Sequence, residues 1–119
     1  MNLYVFSSVE VRPGPSSAMS KADPEAKGAF VNCLVGGDSS EAAAKVLHAT
    51  LGIDGYELVS VGQISEFEVY LSKGNVSVEM EQEASRIRRE GGIWYSPFHY
   101  FRDRQAEYPE IHEALFVAK

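Results

Sequence analysis

Only one cysteine, Cys33, occurs in the 119 residues, which rules out an internal disulfide and favours a reducing compartment. No apolar run is long enough to span a bilayer. The stretch from Met1 to Val9 carries no early lysine or arginine, and its apolar run is too short for a signal peptide. The expectation is a cytoplasmic protein with no membrane contact. Basic residues are also scarce: 11 Lys and Arg stand against 17 Asp and Glu, a net charge of −6. Such a surface repels phosphate backbones, so no nucleic acid is expected as a partner, whereas a basic protein fits.

What is present suffices for one hydrophobic core. Hydrophobic residues make up 45% of the chain and charged residues 24%, close to an average globular domain. The 6 Phe, 6 Tyr and single Trp supply bulky core material without a disulfide or metal staple. Residues 1–119 read as a single domain.

Alternation and breakers predict the elements. Residues 2–12 read as a strand, with Leu3, Val5, Val9 and Val11 on one face. Pro13-Gly14-Pro15 ends it and opens a long loop to about Gly28. Residues 28–35, nearly all apolar, predict a central strand. Asp38 as N-cap with Glu41 three residues later predicts a helix bearing Ala43, Val46, Leu47, Thr50 and Leu51 on one face, closed at Gly52. A third strand follows over 56–64. The stretch 65–75 fits a strand or a short helix. A second helix covers 76–90, lined by Val76, Met80, Ala84 and Ile87. A fourth strand covers 93–101, broken at Pro97, and Pro109 with Ile111, Leu115 and Phe116 predicts a C-terminal helix. The fold class is therefore α/β (α+β), order β-β-α-β-α-β-α. A four-stranded mixed sheet with helices packed mainly on one face is expected, a variant of the ferredoxin-like sandwich.

No residue pattern declares a reaction. Cys33 lies mid-strand with no neighbouring base and reads as a buried structural thiol. His48, His99 and His112 match no metal-ligand spacing, so no metal and no cofactor are expected. Gly36-Gly37-Asp38-Ser39-Ser40 lacks a phosphate-loop lysine and reads as helix capping. The carboxylates Glu66 and Glu68 could act as an acid–base pair only in a pocket that shifts them; a solvated face is the default. The run from Trp94 to Arg104 is dense in aromatics and arginine. These residue types fill cores first and protein interfaces second.

The run Ala29-Phe30-Val31-Asn32-Cys33-Leu34-Val35, then Glu41-Ala42, then Gly55-Tyr56-Glu57-Leu58-Val59-Ser60-Val61 resembles small bacterial proteins that are themselves similar to immunity proteins of toxin systems. The likeness covers roughly residues 28–65 and is a strand–helix–strand pattern. It implies a non-enzymatic protein that binds a cognate protein toxin and covers its active site. With the acidic balance, the contact residues expected are Asp38, Glu41, Glu57, Glu66, Glu68, Trp94, Tyr95 and His99. The alternative is a small enzyme or ligand-binding domain acting as a homodimer, its pocket lined by Tyr95, Phe98 and Tyr100.

Overall fold

The longest ladder joins β1 (Asn2–Pro13) to β2 (Gly28–Gly37), antiparallel. The computed structural model describes residues 1–74, 76–102, 111–114 and 116. A short helix, α1 (Ala18–Ala22), separates these two strands. After them come α2 (Ser40–Ile53), β3 (Tyr56–Ser60), β4 (Gln63–Glu66), α3 (Phe67–Ser72), α4 (Val78–Glu90), β5 (Ile93–Tyr95), β6 (Phe98–Phe101) and β7 (Ile111–Ala114). β3 and β4 both lie along β1, β5 and β6 both lie along β2, and β7 lies beyond β6. Every pairing among the described residues is antiparallel.

The expected four-stranded mixed sheet is thus corrected to an antiparallel sheet with seven strands among the described residues, and the element order is not the ferredoxin-like one. Two of the expected long strands are present but broken, at Val61-Gly62 and at Ser96-Pro97. The stretch expected as a C-terminal helix instead contributes β7, because β6 offers it an open edge: Phe101 faces Ile111 and Phe98 faces Ala114. Backbone pairing there outweighs the helical spacing of the side chains. Pro109 and Leu115, assigned to that helix, lie outside the described residues. The loop from Pro13 to Gly28 holds α1, pinned by the fully buried Met19.

The breaks line up on one residue. Phe6 faces Cys33 but Val9 faces Val31, so Ser7 and Ser8 together oppose Asn32. On the other side Tyr95 faces Cys33 but His99 faces Phe30, so one extra residue is again accommodated opposite Asn32. Asn32 holds both bulges. Its side-chain oxygen accepts the Ser8 N–H at 2.9 Å, its N–H donates to Ser96 Oγ at 2.9 Å, and its carbonyl accepts the Ser96 N–H at 2.8 Å. The crease continues to Gly62, whose N–H reaches the Ser7 carbonyl at 3.1 Å. A Cβ on Gly62 would meet Ser8 Cβ at 2.9 Å, so this position needs glycine.

A bulge shifts the alternation by one. Leu3 and Val5 therefore face one side of the sheet, and Val9 and Val11 the other, which corrects the shared face expected for all four. Tyr4, Phe6, Val9, Val11, Cys33 and Tyr95 pack under α2, which buries Ala43, Leu47 and Leu51. Leu3, Val5 and Leu34 pack under α3 and α4 through Phe67, Met80, Ala84 and Ile87. Helices thus cover both faces rather than mainly one. Each fully buried Leu, Ile or Phe here contributes about 1.5–3 kcal/mol of burial free energy.

The cap of α2 also differs by one residue. Ser39, not Asp38, is the N-cap, its hydroxyl accepting the Ala42 N–H at 3.1 Å. Glu41 therefore sits in the first turn rather than closing a capping box. Gly52 stays inside the helix, and the chain reverses at Gly55 (φ +88°), where a Cβ would strike Ser16 and Ser17.

Ser8 is the one non-glycine with positive φ (51°) among the described residues. That region costs an L residue about 1–2 kcal/mol and more with a branched Cβ. Ser8→Val is expected to lower unfolding free energy by about 1–2 kcal/mol in urea titration, and Ser8→Gly to cost nothing. Equal losses for both variants would show that the strain is not there.

Candidate functional site

Three carboxylates from separate elements open on one cleft. Asp38 precedes the first turn of α2 and is exposed, because the cap position itself is taken by Ser39. Glu41 is exposed one turn later, where a negative charge suits the helix dipole. Glu66 ends β4 and stands at the N-cap position of α3 without a side-chain capping bond, which leaves its carboxylate to solvent. Tyr4 pairs opposite Glu66 and Phe6 opposite Ile64, so Glu66 and Ile64 project on the α2 side of the sheet. The cleft measures about 460 Å³ and is lined by Tyr4, Asp38, Glu41, Ile64, Glu66 and the serines between them. No lysine or arginine lines it.

Several acidic side chains elsewhere have cationic partners. Glu57 meets Arg12 at 3.2 Å, and Glu68 meets Arg88 at 2.8 Å. Asp23 meets Arg102 at 2.7 Å, and Glu83 pairs with Arg86. Among the described residues, no ion pair involves Asp38, Glu41 or Glu66. The cleft is therefore a concentration of uncompensated negative charge at an exposed sheet edge.

The structure brings together Asp38, Glu41 and Glu66 of the eight expected contact residues and disperses the other five. Glu57 lies at the far end of the β1–β3 ladder, facing Arg12. Glu68 is on α3, tied to Arg88, whose guanidinium also lies 5.5 Å from the Phe67 ring centroid. Trp94 is half-buried against the cluster beneath α4. Tyr95 is 3% exposed and cannot meet a partner on the surface. His99 is exposed on the opposite face from α2, next to Phe30.

A second, larger cleft of about 670 Å³ lies where the loop after β1 meets the sheet. Glu10, Arg12, Lys27, Val59 and Phe101 line it together with several prolines. Glu10 is 6% exposed, an unusual position for a carboxylate that strand alternation alone does not flag. Among the described residues, no group of three or more His, Cys, Asp or Glu is arranged to hold a metal ion. No described helix is long and apolar enough to cross a membrane. Compared with protein-family models, curated proteins and solved structures, the chain matches none.

A buried polar group that residue order did not reveal lies under α2. Asp54, the C-cap of α2, is 4% exposed and accepts the Tyr95 hydroxyl at 2.9 Å. The neighbouring Tyr56 hydroxyl faces the backbone of Met19 and finds no hydrogen bond of normal geometry. The one signal in the sequence was Asp54 before Gly55 at a helix end. Burial raises the pKa of Tyr95 well above its ordinary value, and the Asp54 hydrogen bond and charge add to the effect. Burial likewise raises Tyr56 and the Cys33 thiol.

These shifts predict the alkaline limit of stability. The ordinary values are 9.0 for cysteine and 10.0 for tyrosine. In the unfolded chain these groups ionise as pH passes them, while in the folded protein they remain neutral. The stabilisation is therefore complete below pH 9 and is lost as pH rises beyond about 9–10. Urea midpoints measured from pH 7 to 11 should fall over that range, and a flat profile would refute the burial argument. At neutral pH, Tyr95→Phe should cost about 1 kcal/mol by removing the buried hydrogen bond to Asp54, whereas Tyr56→Phe should be neutral or stabilising.

Proposed function

We propose that the protein is a binding protein of the immunity type, which neutralises a basic protein toxin by seating the acidic cleft over the toxin's active site. The observation that carries this reading is that three carboxylates without an ion pair share one cleft. Asp38, Glu41 and Glu66 share one cleft without a cation, while Glu57, Glu68, Glu83 and Asp23 are each paired. Exposed like charges held together raise the local negative potential, which steers a cationic partner and is relieved when it docks. Exposed Ile64 beside Glu66 adds apolar contact area. The net charge of −6 and the resemblance over residues 28–65 point the same way. Trp94 and Tyr95 fill the two core clusters and are not contacts in this reading, since one is half-buried and the other buried.

A second reading is favoured by the 670 Å³ cleft, whose size falls in the range of small-molecule sites and whose wall combines charged and apolar groups. In that reading the protein is a ligand-binding domain or small enzyme. The pocket moves from Tyr95 and Phe98, which fill the core, to Glu10, Arg12, Lys27 and Phe101.

Affinity capture from the native lysate separates the two. The tagged protein should retain a basic protein stoichiometrically, read by native mass spectrometry. The triple variant Asp38→Lys, Glu41→Lys, Glu66→Lys should lose it by about 100-fold or more, since several interfacial charges reverse at once. The captured protein should be inhibited at one-to-one stoichiometry. Retention of the same protein by both forms would overturn the acidic-cleft reading, and a bound small molecule with no protein partner would support the second.

A further inference from the structure

The partner side of the cleft has a free strand edge. β4 pairs with β1 on one side, and no described strand pairs with its other side. Outside that ladder, no residue from Gln63 to Glu66 makes a backbone–backbone hydrogen bond with another loop or strand among the described residues. Natural edges are commonly protected by lysine, proline or an inward charge. Gln63-Ile64-Ser65-Glu66 contains neither lysine nor proline, its one charge, Glu66, stands at the strand end, and Ile64 is 47% exposed. The side chains alternate: Ile64 and Glu66 lie on the α2 side of the sheet, toward Asp38 and Glu41, while Gln63 and Ser65 alternate to the other side, Ser65 still bordering the cleft.

We propose that β4 is a strand-addition site, which takes an extended segment of the partner whose lysines or arginines alternate with β-branched residues. This rests on the binding reading above and specifies its mode. Main-chain hydrogen bonds to the free edge would supply affinity, and alternate side chains would supply specificity. On the cleft side, the cations meet Glu66, Asp38 and Glu41 and lay their methylene stems across Ile64, while the β-branched residues lie on the other face. A second copy of this chain is a poor occupant. Pairing two β4 edges would set both groups of uncompensated carboxylates along one strand length of about 13 Å, where like charges oppose association.

The test uses ¹⁵N-labelled full-length protein and three synthetic ten-residue peptides with capped ends. One alternates lysine and valine, the second is the same peptide N-methylated at alternate residues along its pairing edge, and the third alternates glutamate and valine. The lysine–valine peptide should shift the amide signals of Gln63 to Glu66 and slow their hydrogen exchange by about 10-fold or more. N-methylation or glutamate should abolish the effect. Ile64→Lys should weaken binding by about 10-fold while leaving the remaining spectrum unchanged, and Ser65→Pro should do the same through the backbone. If the N-methylated peptide binds equally, with Asp38, Glu41 and Glu66 shifted but no exchange protection in β4, strand addition is overturned and the acidic-cleft reading stands. If no peptide moves either set, both fall. A concentration-dependent dimer protected at the same edge would also overturn the proposal, in favour of self-pairing.

Discussion

The rest of the structure depends on the way Asn32 is held between two bulges. One residue of β2 faces an extra residue on each side, and it satisfies them with its carbonyl, its N–H and its side-chain amide oxygen. Without those bonds, two neighbouring strands would carry unpaired backbone groups in the middle of the sheet, each costing about 1–3 kcal/mol if buried. With them, β1 and the β5–β6 pair shift alternation where they pass Asn32, and β2 does not. The outcome is that Phe6 and Val9, and likewise Tyr95 and Phe98, fall on the same face although their spacing in sequence is odd. The core under α2 is continuous because the crease is there.

The crease also divides the opposite face. Above it, Leu3, Val5 and Leu34 are covered by α3 and α4. Below it, Phe30 and His99 remain exposed, with Glu10 tucked between strands. On the α2 side, the same registers put Ile64 and Glu66 beside the start of α2. The acidic cleft therefore follows from two local choices: a serine cap that leaves Asp38 outside the helix, and a strand that ends at Glu66. The gathering of three carboxylates with no ion pair makes that cleft stand out, more than the net charge does.

Periodicity carried α2 and α4 well, because each presents a stripe at helical spacing and ends in clear signals. The positions of the four expected strands were legible too. Their continuity was not. Ser7 and Ser8 are neutral to alternation, and Val9 keeps the odd numbering of Leu3 and Val5, so a period-two reading runs straight through the bulge. Residues 111–114 carry helical spacing, yet an available edge on β6 decided their state, which is a property of the sheet rather than of the segment. Asp38 and Glu41 were neighbours in any reading. Glu66 joins them only through the Tyr4–Glu66 register, and Tyr95 leaves the candidate surface for the same reason: register, not composition, sets its side.

The register around Asn32 is the claim on which both faces and the cleft rest. A nuclear Overhauser map of backbone protons across the three ranks tests it most directly. The account predicts cross-strand contacts between Phe6 and Cys33 and between Val9 and Val31, together with Tyr95 to Cys33 and His99 to Phe30. A contact placing Val9 opposite Phe30, the unbroken continuation of the Phe6–Cys33 register, would contradict it and redistribute every side chain named here beyond the crease.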